Sequence, residues 1–207
     1  MYVARILWPV ATLGPGDRLG IWFSGCEHRC EGCSNPELWE QREHQKISAS
    51  GLMRIVGHIV GQCRVDGFTL SGGDPFYQPD ALRELLPLLN AISRDILVYT
   101  GYLYEELELK YPDILAQAAV LVDGPYVQAL NRQEVLRGSS NQKIVVLRPE
   151  YQKKYYEYRA AGRSAVQNFT TPTGITSVGI HRPDYPRELE EHLKKKGLTK
   201  RNGSEPQ

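Results

Sequence analysis

Cys26, Cys30 and Cys33 fall within eight positions of one another in the stretch SGCEHRCEGCSNPELW, residues 24–39, and the chain has only four cysteines. Their C-x3-C-x2-C spacing lets three thiolates converge from one loop on one inorganic centre. Two centres answer to that description. A zinc ion takes four ligands, and His28 would complete a Cys3His tetrahedron. A 4Fe–4S cluster bonds up to four cysteines, and three leave one iron open to a ligand that is not protein. The loop by itself leaves both open. The fourth cysteine, Cys63, reads as a small buried apolar residue in the last turn of a helix, not as a ligand.

The elements that position this loop follow from periodicity. MYVARILWPVATLG, at the start, reads as a strand entering a Gly-Pro-Gly turn; Pro9 interrupts it as a signal-peptide core. LGIWFSG (19–25) reads as the strand that delivers the cysteines. Apolar residues Leu52, Ile55, Val56, Ile59 and Val60 recur at helical spacing over 51–65. GFTLSGGDP (67–75) is a strand running into Gly-Gly-Asp-Pro. A helix is expected over 79–93, starting at Pro79 and kinked or split at Pro87. DILVYTG (95–101) and AAVLVDGP (118–125) read as strands around a short helix at 102–110, and KIVVLR (143–148) as one more. Strands alternating with helices argue for parallel βα units. Three strands end in small or polar residues: Ser71, Gly72, Gly73 and Asp74; Thr100 and Gly101; Asp123 and Gly124. Ligands bind at the carboxyl ends of parallel strands, so three such ends beside a cysteine loop mark one site.

Beyond residue 148 the texture changes. Tyr151, Tyr155 and Tyr158 share a helical face, read as a packing stripe; residues 165–181 read as a hairpin turning at Pro172, Thr173 and Gly174; residues 186–197 read as a helix, with Pro and acids first and Lys and Gly last. The expected organisation is a core over 1–148, an extension over 149–197 packed on it, and a disordered tail over 198–207. The 207 residues carry a formal net charge of +1, with 41% hydrophobic and 24% charged residues. No global field recruits nucleic acid or an anionic membrane. The basic run at Lys194, Lys195, Lys196, Lys200 and Arg201 reads as a solvated helix end. No apolar stretch nears the ~20 residues that span a bilayer. Clustered cysteines without a signal peptide point to metal in a reducing cytoplasm.

An open iron suits S-adenosylmethionine, which binds it through its amino and carboxylate groups. One electron passed to the sulfonium then releases a 5′-deoxyadenosyl radical. The protein supplies position and exclusion of water. Taken in order, GPGDR (14–18), SGCEHRCEGCSNPELW with His28, Gly32, Asn35 and Trp39, LSGGDP (70–75), TGY (100–102), LVDG (121–124) and RGSSNQ (137–142) resemble the radical S-adenosylmethionine superfamily, and within it the glycyl-radical enzyme activases of anaerobic ribonucleotide reductase. The resemblance implies an α/β fold, a shortened, partial (β/α) barrel. It makes Cys26, Cys30 and Cys33 ligands of a 4Fe–4S cluster. Gly32, Cys33 and Ser34 would lie along S-adenosylmethionine, while Gly72, Gly73 and Asp74 would receive its amino end. Thr100 and Asp123 would border its carboxylate or a bound cation. His28 becomes a hydrogen bonder that shapes the loop. Residues 137–142 precede a strand and need not join the other loops; partner contact and packing are both open to them. The implied partners are a large glycyl-radical enzyme, whose glycine loses a hydrogen atom, and an electron donor such as flavodoxin or ferredoxin.

The chain departs from the family in two places. Ser34 stands where an aromatic residue is usual, and about sixty residues follow the RGSSNQ strand, where members usually end. That extension leaves other acceptors open: another glycyl-radical enzyme, a peptide or a small molecule. A non-enzymatic zinc- or cluster-binding interaction module is the remaining alternative, and it gains nothing from a Gly-Gly-Asp-Pro turn.

Overall fold

The computed structural model describes residues 1–162, 166–171 and 174–197. A six-stranded sheet organises them in sequence order: β1 (Val3–Val10), β2 (Arg18–Phe23), β3 (Gly67–Gly72), β4 (Ile96–Tyr99), β5 (Val120–Asp123) and β6 (Lys143–Val146). Strands β2 to β5 are parallel, whereas β1 and β6 run antiparallel at the two edges. The parallel reading therefore describes the middle of the sheet. The edge strands reverse because β1 turns back through the short Gly-Pro-Gly loop and β6 follows β5 without a helical crossover.

Helices α1 (Ala49–Gln62), α2 (Pro79–Asn90), α3 (Tyr104–Lys110) and α4 (Pro112–Leu115) form the connections between parallel strands. Side chains alternate across each strand. Leu19, Ile21, Phe23, Phe68, Leu70, Ile96, Val98 and Leu121 meet the helices on one face. Four leucines of α2, Leu82, Leu85, Leu86 and Leu89, are fully buried there, each stabilising by about 2 kcal/mol relative to exposure. Helix α2 runs unbroken through Pro87, which falls on an outer, exposed position. Cys63 caps α1, its N–H closing the last turn on Ile59 O at 2.8 Å, and it is half-buried, not a core residue. It sits at the amino end of β3, away from the cysteine loop at the carboxyl end of β2.

The other face of the sheet is covered by the extension. Tyr155 of α5 (Gln152–Ala160) packs with Leu97, Val120, Val122 and Leu136, and Tyr151 and Tyr158 flank it, as the stripe predicted. A two-stranded sheet, β7 (Val166–Thr171) with β8 (Gly174–Gly179), brings Val178 against Val10, Leu13, Trp22 and Leu38. Pro172 and Thr173, two of the expected turn residues, lie outside the described residues, as does the tail over 198–207. Helix α6 (Tyr185–Lys195) closes the described chain. Strands buried on both faces read as continuous apolar runs, which is how β4 and β5 stood out in the sequence.

Arg18 opens β2 and is fully buried. It donates from Nε to Thr69 Oγ1 (2.7 Å) and from Nη2 to the Asp95 backbone oxygen (3.0 Å) and Oδ1 (3.2 Å). Tyr155 Oη and Lys154 Nζ each donate to Asp95 at 2.6 Å. Burial works against ionisation of Asp95, but Arg18, then Lys154 and Tyr155, hold its carboxyl below the usual carboxylate range.

Candidate active site

The cysteine loop leaves β2 and is closed at its base by two backbone bonds, Gly25 N–H to Leu38 O (2.8 Å) and Cys26 N–H to Trp39 O (3.0 Å). The end of β3 clamps the same base: Gly73 donates to Phe23 O (2.8 Å) and Asp74 to Gly25 O (2.9 Å). That approach demands glycine. A Cβ on Gly72, whose φ is +113°, would stand 2.3 Å from Phe23 O, and one on Gly73 would stand 2.4 Å from Gly25 O. Gly73 lines the cleft above the loop; Gly72 does not, and its need for glycine is met by packing against β2.

Between the cysteines the chain turns at Arg29 (φ +46°) and Gly32 (φ +69°), and Cys26, Cys30 and Cys33 all line one cleft of about 180 Å³. Ser34 lines it too, whereas Gly32 turns away toward Gln128. Asn35 N–H donates to Cys33 Sγ at 3.4 Å. Burial pushes the Cys26 and Cys33 thiols up, opposed at Cys26 by the backbone N–H groups of His28 and Arg29, and at Cys33 by Asn35 and the Trp39 indole. N–H groups aimed at sulfur are what a ligating thiolate needs.

Asp74 ties the strand ends together. It is buried and accepts from Thr100 Oγ1 (3.0 Å), Gly101 N–H (2.8 Å) and Phe76 N–H (2.9 Å). His28 Nε2 lies 3.3 Å from Asp74 Oδ2, close enough to pair but without hydrogen-bond alignment, and its ring meets Tyr102 edge-on at 4.5 Å. Asp74 pushes the His28 imidazole up, against the effect of burial. His28 thus fastens the cysteine loop to the β3 and β4 ends, and its ring is directed to Asp74 and Tyr102. Thr100 lines the cleft, but its hydroxyl is given to Asp74. Asp123 does not line the cleft: its Oδ2 accepts Tyr104 N–H (2.8 Å) at the start of α3, and its Oδ1 accepts Lys143 N–H (2.9 Å) at the start of β6. Its carboxylate fastens these two elements together.

Residues 137–142 do join the site. Because β6 is antiparallel, the segment before it lies at the carboxyl end of β5, and Gly138 and Gln142 line the cleft. Asn131 and residues 177–181, which no motif or spacing marks in the sequence, line it as well.

The donor set fits an iron–sulfur cluster in its chemistry: three thiols of one loop, N–H groups facing two of the sulfurs, and His28 turned to Asp74. Among the described residues no three His, Cys, Asp or Glu side chains are gathered tightly enough for a single metal ion. When bound at such a loop, a 4Fe–4S cluster supplies one-electron chemistry.

The 4Fe-4S single cluster domain family matches residues 12–145. The anaerobic ribonucleoside-triphosphate reductase-activating protein of Escherichia coli (strain K12) is 35% identical over 142 residues, 65% of this chain and 92% of that protein. The protein of the same name from Enterobacteria phage T4 is 33% identical over 136 residues, 63% of this chain and 85% of its own. That from Haemophilus influenzae is 34% identical over 138 residues, covering 63% and 88%.

Proposed function

The chain belongs to the 4Fe-4S single cluster domain family, and on that premise we propose that it is a radical S-adenosylmethionine enzyme that activates an anaerobic ribonucleotide reductase. Its cofactors are a 4Fe–4S cluster and S-adenosylmethionine. Bound there, they would supply one-electron reductive cleavage of the sulfonium and removal of a hydrogen atom from a glycine Cα of the reductase, with methionine, 5′-deoxyadenosine and a glycyl radical as products. One observation carries the reading: three thiols of one loop line the same cleft as the ends of β3 and β4, and Asp74 joins those ends to the loop.

In this reading Cys26, Cys30 and Cys33 hold the cluster. Cys33, Ser34 and Gly73 border S-adenosylmethionine. Asp74 acts by holding Thr100, Gly101 and His28 in place. The sheet is the partial barrel of the superfamily, with its inner face covered by the extension. A small reduced electron carrier such as flavodoxin or ferredoxin supplies the electron. No helix among the described residues is long and apolar enough to cross a membrane. The clustered free thiols support work in a reducing cytoplasm.

Anaerobic reconstitution with iron and sulfide, then reduction with S-adenosylmethionine present, tests the reading. It expects 5′-deoxyadenosine and, with the reductase added, a glycyl radical in the electron paramagnetic resonance spectrum. Stoichiometric zinc and no 5′-deoxyadenosine would sink it.

A further inference from the structure

One wall of the cleft comes from the part of the chain beyond residue 145, where the family match ends. Residues 177–181, the end of β8 and the coil after it, line the cleft beside Tyr99 of β4. This wall is seated from several sides. Val178 is buried with Leu13, Trp22 and Leu38, its carbonyl accepts Thr12 Oγ1 at 3.1 Å, and the His181 carbonyl accepts Asn131 Nδ2 at 2.8 Å.

Two side-chain atoms in this region, Tyr99 Oη and His181 Nε2, are buried and have no hydrogen-bond partner among the described residues. Three polar residues that line the same cleft are already engaged. Asn131 donates to Tyr126 and His181 and accepts from Gln133; Gln142 accepts from Gly138 and Ser139 and donates to Gly124; the Ser177 hydroxyl donates to Asn168. Buried polar atoms in native proteins are nearly always paired, so two orphans on one cleft mark where a ligand's polar groups belong. Burial pulls the His181 imidazole down, so near neutral pH Nε2 offers a hydrogen bond and no charge.

The charge pattern says what kind of ligand fits. Asp74 is the only Asp, Glu, Lys or Arg among the described residues lining the cleft, and its oxygens are engaged by Thr100, Gly101 and Phe76. An acceptor carrying phosphate or carboxylate would meet no cation. A polypeptide backbone brings uncharged N–H and C=O groups, and Gly124, where a Cβ would meet nothing nearer than 3.6 Å, leaves room for close approach.

Resting on the activase reading, we propose that Tyr99 and residues 177–181 form the wall against which the acceptor polypeptide lies, with Tyr99 Oη and His181 Nε2 hydrogen-bonding its backbone. The extension thereby takes part in selecting which protein is activated, and His181 is a positioning residue for the acceptor.

The test uses the reconstituted full chain with S-adenosylmethionine, reductant and a purified anaerobic ribonucleotide reductase below saturation. Glycyl radical and 5′-deoxyadenosine are measured in the same samples, and their quotient is the readout. His181→Ala and Tyr99→Phe are each expected to lower the quotient by about fivefold, the effect of one lost hydrogen bond. His181→Gln, which keeps a polar group there, is expected to restore part of it. Tyr156→Ala, on the exposed side of α5, is expected to leave it unchanged. A fall in one variant alone assigns the contact to that residue and removes the other. An unchanged quotient in both His181→Ala and Tyr99→Phe overturns the proposal while the activase reading stands. A wild-type enzyme that makes no 5′-deoxyadenosine overturns the activase reading itself, and one that makes it without any radical on the reductase counts against both.

Discussion

At the amino ends of the parallel strands, a fully buried arginine, Arg18, donates to Thr69, to the backbone carbonyls of Pro15, Phe68 and Asp95, and to the Asp95 carboxylate, which Tyr155 and Lys154 also serve. At the carboxyl ends, Ser24 Oγ, Tyr99 Oη and His181 Nε2 are buried with no hydrogen-bond partner among the described residues. The same four strands thus carry a closed polar network at one end and an unfinished one at the other. A fully paired network fixes a unique packing, whereas a partly paired one leaves capacity for something else to complete it. The extension takes part in both: α5 closes the amino end through Tyr155 and Lys154, and β8 lines the open end through residues 177–181.

The largest expected effect belongs to the open end. Cys30→Ala removes one of three thiolates at the cleft, and iron content after reconstitution is expected to fall to background. Cys63→Ala, at the other end of the sheet, is expected to keep wild-type iron. Equal iron loss in the two variants would break the assignment of chemistry to one end.

At the closed end, Arg18→Met leaves the Asp95 carboxylate buried without its main partner. Removing one member of a buried pair typically costs about 3–5 kcal/mol, and urea denaturation is expected to read a loss of that size. A loss under about 1 kcal/mol, the range of an exposed pair, would mean that the amino end does not depend on this network.

How much of this was legible in the sequence differs by end. The cysteine loop and the Gly-Gly-Asp-Pro turn are local, and spacing alone brought them forward. The pairing of Arg18 with Asp95 spans 77 positions and is made by strand order, which no single segment encodes. Asp123 shows the ambiguity of a residue read alone. An acid at a strand end looks the same whether it meets a ligand or caps backbone N–H groups, and here it accepts from Tyr104 and Lys143. Residues 137–142 stayed open between partner contact and packing because the direction of β6 is not written in its own residues; one reversal brings Gly138 and Gln142 to the cleft. His181 had no local signal, since its place depends on the docking of β8 against Leu13 and Trp22.

A smaller effect comes from pH. Asp95 has a folded-state pKa below its unfolded value of about 3.9. Its ionisation therefore stabilises the fold fully above that unfolded value, and the contribution is lost as pH falls through the lower folded one. Urea midpoints measured at stepped pH are expected to stay level, as far as this group governs them, from pH 7 down to about 5, then drop below about 4. Asp95→Asn should start lower and lose less over the acid range. A parallel fall in both proteins would show that the acid sensitivity arises elsewhere.

The smallest effect separates the two cations that share Asp95. Lys154 Nζ is as close to the carboxylate as any donor, 2.6 Å from Oδ2, yet its side chain is 39% exposed where that of Arg18 is 0% exposed. Solvent screens the lysine charge, and its flexible stem loses freedom when held in one geometry, so distance alone overstates its worth. Lys154→Met also leaves Asp95 paired with Arg18 and Tyr155, and strands no buried charge. The expected loss is about 0–1 kcal/mol. It should narrow as salt is raised, because exposed pairs are screened over about 10 Å at 0.1 M ionic strength. A loss equal to that of Arg18→Met, unmoved by salt, would mean that burial does not rank the partners of Asp95. The amino end would then be held from the extension as much as from the sheet.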